Sequence, residues 1–478
     1  MPKAKNNSKY IWVFPVSQNN WFWISLANAI YSKIGLMPLL IVPTKQDKDF
    51  YLSKYGDNIG EKQIVVATSQ YDEAIDTNID EYEFLSKQVR NLEDRFNMTA
   101  NRSLIQADRH LGKGYIWGWH GHPRSIVSEN AGPAGRLKAV LTRFDFFCDL
   151  FDSHPPGLVI GASGLGSGVA TGPVWHLCNK WEVPFRTLAP ARFGALYYWA
   201  VDPFDNPPTD FITKFNKRLK ISKTDRKTFQ SLMKPPATFT AVQRKSPYRS
   251  FRAAVKISFR QFAMRLFHKM KGYSKSRYGY KLIDSTIAPF LEWRNGLYLK
   301  QLGLTRLNEI PKHLKVVVLP LQFEPEISLQ GQSPDASNIL SVIYETSLSL
   351  PSDTSLIVKE HPIQVGRRPH WFYDCIKKLP NTVLLDPMTS SADVLSKASA
   401  VVQINSSMGY EAAARGIPIF AFSKHGTLPA LDHVSIVHSV DDLANLQSLA
   451  GSNNSSAVIK KRRNDGVNFV LALHEYCT

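Results

Sequence analysis

The residues best suited to bind a phosphate form the run Asn-Ser-Ser-Met-Gly-Tyr-Glu at positions 405–411. An apolar stretch precedes this run and a helical pattern follows it, so Ser406 and Ser407 are predicted at a helix start. Two hydroxyls and unpaired backbone N–H groups favour an anion there, because the helix dipole adds positive potential. Glu411, one turn into the helix, could reach a ribose hydroxyl. Alternatively, Ser406 is a plain N-cap and Glu411 its capping partner.

Two further polar loops follow predicted strands in the same half of the chain. In Lys359-Glu-His-Pro362 the proline stiffens the backbone, so the His361 ring can point at a leaving phosphate or a nucleotide. A lone histidine is also common as a structural residue with satisfied hydrogen bonds. In Gln322-Phe-Glu-Pro-Glu326, two carboxylates lie where a doubly wound sheet binds its cofactor, although they also fit a solvated turn.

A base for the reaction is expected in the first half of the chain. His120 and His122 follow a predicted strand. An imidazole with a pKa of about 6.5 can accept a proton at neutral pH. The His-x-His spacing could also hold a metal, but no carboxylate or cysteine completes a ligand set, so no metal is predicted. Three carboxylates are rival bases: Asp108, Glu129 and Asp145.

Alternating strands and helices must position these loops. Tyr10–Val16 and Leu36–Pro43 are predicted strands around a helix at 21–33, which is the βαβ unit of a parallel sheet. Further strands are predicted at 115–119, 157–161 and 183–188, and surface helices within 80–112. The glycine-rich turn Gly161–Gly168 lacks the G-x-G-x-x-G spacing of a dinucleotide site, so we interpret it as a flexible loop facing an acceptor.

The second half of the chain repeats this plan. Strands alternate with helices and are predicted at 314–321, 355–359, 382–385, 400–404 and 417–422. The fold class is therefore α/β, with two Rossmann-like doubly wound lobes facing a cleft and a basic helical insert between them. The predicted boundaries are 1–209 for a first, acceptor-binding lobe, 210–300 for the insert and 301–478 for a second, donor-binding lobe.

Composition fits a folded protein of a reducing compartment. The chain has 478 residues, of which 44% are apolar and 21% charged, and its four cysteines lack the spacing of a zinc site or a disulfide framework. The basic start leads into only a short apolar stretch, so no signal peptide is expected. No apolar run reaches the ~18 residues of a membrane-spanning helix. We therefore expect a cytoplasmic protein.

The net charge of +18 is concentrated in the insert, because residues 214–281 hold 20 Lys/Arg and a single acid, Asp225. One helical stripe there comprises Phe251, Val255, Phe259, Phe262, Leu266 and Met270, flanked by Arg252, Lys256 and Arg260. A basic amphipathic helix of this kind suits an anionic membrane surface. The alternative is a helix packed on the first lobe with solvated charges. No zinc-finger, RNP or helix-turn-helix pattern appears, so a nucleic-acid partner is not expected.

Three segments of the second lobe, in order, resemble the bacterial capsular polysaccharide biosynthesis family. They are 319–326, 358–362 and 403–419, and the similarity is weaker in the first lobe. The resemblance implies a GT-B fold, with a nucleotide-sugar donor in the second lobe and an acceptor in the first. The family includes transferases of Kdo from its CMP-activated form. The His-Pro pair and the double serine also resemble GT-B sialyltransferases and polyglycerol-phosphate polymerases, which implies a cytidine nucleotide, with His361 on the nucleotide or phosphate and Ser406 and Ser407 on the phosphate.

The predicted function is therefore a glycosyltransferase of surface polysaccharide synthesis. It would move a sugar, with Kdo as one candidate, from a CMP-activated donor to a lipid-linked or glycan acceptor at the inner face of the cytoplasmic membrane, without a cofactor. The predicted donor-binding residues are Gln322, Glu326, Lys359, His361, Pro362, Ser406, Ser407, Gly409 and Glu411. Two alternatives are a sugar-nucleotide epimerase on the same fold and a non-enzymatic protein that binds a polyanion or nucleic acid through the insert.

Overall fold

The first lobe is built on a six-stranded sheet in the order β3-β2-β1-β4-β5-β6, in which only β6 is antiparallel to its neighbour. Continuous apolar runs form its central strands, and Ile11, Trp12 and Val13 of β1 are fully buried because helices cover both faces. The strands are β1 Tyr10–Phe14, β2 Met37–Val42, β3 Ile64–Val66, β4 Pro156–Ala162, β5 Phe185–Pro190 and β6 Tyr197–Ala200. The predicted βαβ unit and the strands near 157 and 183 are confirmed.

The computed structural model describes residues 8–16, 20–67, 77–108, 111, 132–217, 221–234, 248–270, 282–324, 326–446 and 455–477. The strand predicted at 115–119 lies outside these residues. The helices of the first lobe are α1 Asn20–Ile34, α2 Lys45–Tyr55, α3 Tyr82–Phe96, α4 Pro133–Ser153 and α5 Gly168–Lys180. Leu85 and Val89 of α3 are buried, so the predicted surface helix within 80–112 has one face in the core.

The second lobe carries an all-parallel sheet in the order β12-β11-β10-β7-β8-β9. Its strands are β7 Lys315–Pro320, β8 Thr354–Lys359, β9 Thr382–Leu385, β10 Ala400–Gln403, β11 Ile419–Ala421 and β12 Val434–Ile436. Its helices are α10 Ile327–Gln330, α11 Ile339–Leu348, α12 His370–Lys377, α13 Ser391–Lys397 and α14 Ser407–Ala414. The prediction of two doubly wound lobes is confirmed, and the five predicted strands of this lobe are all present.

Helices join the two sheets. Between the lobes lie α6 Thr209–Lys217, α7 Lys223–Leu232, α8 Phe251–Met270 and α9 Leu282–Gln301, and the last helix is α15 Ser456–Cys477. Phe469 of α15 contacts Phe193 of the first lobe and Phe211 of α6, and all three lie in one core cluster with β7 and α14. The C-terminal helix therefore ties the first lobe to the second.

The basic helix α8 and the helix α9 pack against each other as a hairpin, and this hairpin docks on the second lobe. Tyr298 of α9 stacks on His370 of α12 with ring centroids 3.9 Å apart. The alternative of a helix packed on the first lobe with solvated charges is therefore wrong, because the hairpin docks on the second lobe. On α8 the buried positions are Ala254 and Ser258, whereas Phe259 of the predicted stripe is 74% exposed.

Candidate functional site

The three polar loops singled out from the sequence meet at one edge of the second sheet. Strand β7 lies between β10 and β8, and all three strands are parallel. The residues that follow them, beginning at 321, 360 and 404, therefore leave the same edge, where doubly wound sheets bind ligands. The structure brings the predicted donor loops together.

The serine loop begins α14 as predicted, with Ser406 as the N-cap. The Ser406 hydroxyl accepts a hydrogen bond from the Met408 N–H at 3.1 Å, and the Ser406 N–H donates to Gln403 Oε1 at 2.9 Å. Ser407 is exposed at the first helical position. Glu411 pairs with Arg415 one turn on, at 2.5 Å, so the capping-box alternative for Glu411 is wrong.

Gly409 has a packing role that its position alone did not indicate. A Cβ atom at this residue would lie 2.0 Å from Oε1 of Gln403, whose side chain is buried beneath the helix. The glycine therefore lets α14 approach β10 closely enough for Gln403 to hold the Ser406 backbone.

His361 uses one ring nitrogen as a hydrogen-bond acceptor within its own loop. Its Nδ1 accepts from the Ile363 N–H at 3.2 Å, at the start of a short 3₁₀ turn that Pro362 opens. The proton of the neutral ring is therefore on Nε2. Burial, with the nearby Lys359 and Arg368 charges, lowers the pKa of His361 to about 4. At physiological pH the ring is thus a neutral Nε2–H donor.

A buried charge network holds the His361 loop against the end of β7. Arg368 is fully buried; its Nε donates to Glu360 at 2.8 Å and its Nη2 to the Gln322 carbonyl at 2.5 Å, and it also pairs with Glu324. Glu360 in addition accepts from the Tyr373 hydroxyl at 2.8 Å. Charge-assisted bonds of this kind are strong and geometrically specific, so they fix the two loops relative to each other.

The remaining predicted donor residues have different surroundings. Lys359 is buried, donates to the Pro387 carbonyl at 2.9 Å, and has a pKa lowered by burial to about 8. Glu326 is half-buried. Burial raises the pKa of Glu324, against the opposing effect of Arg368, although sequence reasoning treated this residue as part of a polar turn.

Several buried polar atoms at this edge have no hydrogen-bond partner within the described part of the chain. They are Oε1 and Nε2 of Gln322, Oγ of Ser333, Oε1 of Gln364 and Oδ1 of Asp205. Buried polar atoms are nearly always hydrogen-bonded in folded proteins, and exceptions point to a missing water, ion or ligand. The amide of Gln322 is notable because both of its polar atoms are unsatisfied. A polar ligand at this edge would supply their partners.

Asp205 joins the two lobes and was not predicted as a site residue. Its Oδ2 accepts from Ser163 Oγ at 3.0 Å and from Gln332 Nε2 at 2.8 Å, while Gln332 Oε1 accepts from Asn405 at 2.5 Å. Its backbone is left-handed, with φ +59°, and burial raises the pKa of its carboxyl. The turn-forming run Asp-Pro-Phe-Asp-Asn-Pro at 202–207 was a local signal for this loop.

The predicted bases of the first lobe fall into two groups. His120, His122 and Glu129 lie outside the described residues. Asp108 accepts from the Val169 N–H and the Leu111 N–H, each at 3.1 Å, and so caps the start of α5. Asp145 is exposed in the middle of α4.

The glycine-rich segment at 161–168 is the turn from β4 into α5, as predicted. Gly164, Gly166 and Gly168 have positive φ angles of 94°, 85° and 69°, which other residues rarely adopt. Ser163 in this turn reaches Asp205. Over the ranges given above, no cluster of three His, Cys, Asp or Glu side chains could hold a metal ion.

Residues 237–425 match the family of capsule polysaccharide biosynthesis proteins. The matched region contains all three polar loops, and it confirms the family resemblance predicted from the sequence. No curated protein matches the chain by sequence.

Similar solved structures include the beta Kdo 2,7 transferase KpsC of Thermosulfurimonas dismutans, with 12% identity, 65% of this chain and 85% of that chain covered, and a TM-score of 0.29. Its beta Kdo 2,4 transferase has 12% identity, coverages of 62% and 79%, and a TM-score of 0.29. The UDP-GlcNAc 2-epimerase of Neisseria meningitidis bound to UDP-GlcNAc has 11% identity, coverages of 98% and 99%, and a TM-score of 0.29. Similarity this distant leaves the donor unassigned.

Proposed function

We propose that this chain, whose residues 237–425 carry the capsule polysaccharide biosynthesis region, is a glycosyltransferase that uses a CMP-activated sugar. Kdo is one candidate sugar, and the acceptor is a lipid-linked or glycan chain. The observation that carries the proposal is the set of unsatisfied buried polar atoms at the edge where His361 and the α14 N-terminus also lie. The family match supports the transferase, and the cytidine donor is our extension of it.

The leaving phosphate would be stabilised without a metal. The neutral His361 ring offers its Nε2–H, Ser407 offers a hydroxyl, and the N-terminus of α14 offers backbone N–H groups and a positive dipole end. Fixed donors of this kind stabilise the charge that develops as the sugar–phosphate bond breaks. The Ser406 hydroxyl accepts from the Met408 N–H, and its own O–H would donate to the phosphate, whereas its backbone N–H is already bonded to Gln403.

The cytosine base would pair with an amide. Gln322 has a free carbonyl oxygen and a free NH₂ group, and cytosine presents an amino donor beside a ring-nitrogen acceptor. Uracil has a carbonyl in place of that amino group. An amide whose oxygen is held toward the cytosine amino group would distinguish the two bases, because uracil would then leave a buried polar group unpaired. The same amide rotated by half a turn would pair with uracil, so the orientation of Gln322 would set the preference.

The acceptor hydroxyl must lose a proton during transfer. His120 and His122 are the bases predicted from the sequence. Asp205 is a further candidate, since its Oδ1 has no partner among the described residues and its carboxyl lies between the lobes, with a pKa raised by burial. A lipid-linked acceptor would place this reaction at the inner face of the cytoplasmic membrane.

Thermal unfolding in the presence of CMP, CDP, UDP and GDP tests the donor. A nucleotide at about 100 times its Kd should add about 2.7 kcal/mol to the free energy of unfolding. We expect stabilisation by CMP or CDP. Stabilisation by UDP or GDP without any effect of the cytidine nucleotides would overturn the CMP assignment.

A further inference from the structure

Helix α8 carries a row of large apolar side chains that the described residues leave partly exposed. Six large side chains of the predicted stripe are all exposed, with Phe259 at 74% and Met270 at 78%. They are Phe251, Val255, Phe259, Phe262, Leu266 and Met270. At about 1.5 Å per residue this 20-residue helix is about 30 Å long, so the stripe is an extended surface rather than a scatter of single residues.

The packing of α8 explains why the stripe faces outward. Its small residues Ala254 and Ser258 are buried, and α8 packs closely on α9. Phe251 contacts Phe290 and Trp293 of α9 at centroid distances of 5.9 and 5.1 Å, so the stripe begins at the edge of the hairpin. The large residues thus form a face that lies beside the helix–helix contact and meets it at Phe251.

Basic side chains border this apolar face. Arg252, Lys256 and Arg260 are all exposed and follow the stripe at a one-residue offset, which puts them about 100° around the helix. The sequence around them is strongly basic, with 20 Lys/Arg and one acid over 214–281. A row of aliphatic and phenyl groups beside a row of cations complements a bilayer with acyl chains beneath anionic headgroups.

The hairpin is held rigidly on the second lobe near the proposed donor site. Glu292 of α9 pairs with Arg249, which precedes α8, and with Arg367 at 3.4 Å. Arg367 is next to Arg368, whose bonds fix the His361 loop. A Cβ atom on Gly366 would lie 2.2 Å from the Glu292 carbonyl oxygen, so the loop and α9 are in tight contact.

We propose that the α8 face is a docking surface for an anionic lipid bilayer, with the stripe at the headgroup–acyl boundary and Arg252, Lys256 and Arg260 on the headgroups. None of the described helices is long and apolar enough to cross a membrane, and this surface would lie along one. The inference does not depend on the proposed donor. Nucleic acid fits the face less well, because phosphate binding needs the cations and leaves the apolar stripe in water.

Co-sedimentation of the full chain with phosphatidylglycerol-rich vesicles, against pure phosphatidylcholine vesicles, tests the proposal. We expect binding to the anionic vesicles that weakens as salt rises, because headgroup attraction decays over about 8 Å at physiological salt. Reversing Arg252, Lys256 and Arg260 to Glu should weaken partitioning by about 100-fold or more, since each basic residue contributes about fivefold.

Two matched variants separate this surface from general charge attraction. Reversing Lys223, Arg226 and Lys227 to Glu makes the same charge change on exposed positions of α7, which has no such stripe, and should have a much smaller effect. Replacing Phe259 and Leu266 by Gln keeps the charge and should abolish the binding that persists at high salt. Circular dichroism and thermal unfolding report whether each variant is folded.

Four results would overturn the proposal. They are no binding of the wild-type chain to anionic vesicles at low salt, an equal loss in the α7 control, wild-type affinity in the Phe259 and Leu266 variant, and a dimer in solution that Phe259→Gln dissociates. Tight binding of a single-stranded RNA that is lost on reversal of Arg252, Lys256 and Arg260 but unchanged by the Gln substitutions would assign the face to nucleic acid instead.

Discussion

The Asp205 carboxylate of the first lobe accepts a hydrogen bond from the Gln332 amide of the second lobe at 2.8 Å. Gln332 in turn accepts from Asn405, the residue before the N-cap of α14. Nearby, His425 stacks on Phe204 with ring centroids 4.4 Å apart. The two lobes are therefore in contact at the loop proposed to hold the leaving phosphate. A substitution of Asp205 can alter the position of that loop.

Asp205→Asn should change the pH dependence of stability. Burial raises the pKa of the Asp205 carboxyl, so the folded state favours its protonated form. The protonated carboxyl contributes stability at low pH, and this contribution is lost as pH rises through the folded-state pKa. The uncharged amide of the asparagine removes the cost of burying a carboxylate, so the variant should unfold at a higher urea concentration at neutral pH. Its free energy of unfolding should also change less with pH above the ordinary pKa range of carboxyls.

Urea unfolding at several pH values measures this effect, with Asp49→Asn on an exposed turn of α2 as the control. A variant that is less stable than the wild type at every pH would show that the charged Asp205 is a net stabilising group. A sugar-transfer assay on Asp205→Asn separates the two roles of Asp205. Turnover should be lost if Asp205 is the base, and should persist if Asp205 is an interlobe contact alone.

Arg368→Met should destabilise the second lobe by about 3–5 kcal/mol, because it leaves Glu360 and Glu324 buried without their cation. Arg415→Met removes a partly exposed pair with Glu411 and should cost less than about 1 kcal/mol. Denaturant titration of both variants measures the difference. Equal effects would contradict the buried-network account.

Gly409→Ala should cost about 1–3 kcal/mol, since the new Cβ would lie 2.0 Å from the buried Gln403 amide. Moving Gln403 breaks its bond to the Ser406 N–H, so we also expect weaker CMP binding. Gly60→Ala, where the nearest atom is 3.5 Å away, is the matched control. Wild-type stability of Gly409→Ala would show that α14 can shift without loss.

The elements of both sheets were predictable because buried parallel strands read as continuous apolar runs. Short strands were missed where fewer apolar residues mark them, as in β3 Ile64–Val66 and β12 Val434–Ile436. The direction of the α8 stripe was open, because the same spacing serves a core contact and a lipid contact. The stripe is exposed because α9 packs beside it, where the small residues Ala254 and Ser258 of α8 are buried.

The candidate site was predictable only in part. His361 and Ser406 follow strands and could be found from local order, whereas Arg368 meets Glu324 across 44 residues of sequence. Asp205 meets Gln332 across 127 residues, so only the assembled lobes bring them together. Local motifs thus locate the loops, and long-range polar contacts identify what positions them.

Calorimetric titration of CMP into the wild-type chain and into His361→Ala, His361→Gln and His313→Ala tests the central claim most directly. His313 is an exposed histidine of the same lobe, so His313→Ala should bind as the wild type does. His361→Ala should bind about 10- to 100-fold more weakly, because a hydrogen bond to a charged phosphate contributes about 1.5–3 kcal/mol. His361→Gln, which keeps an N–H donor, should recover part of that loss. Equal CMP affinity in the wild type and His361→Ala, or no CMP binding by the wild type, would contradict the account.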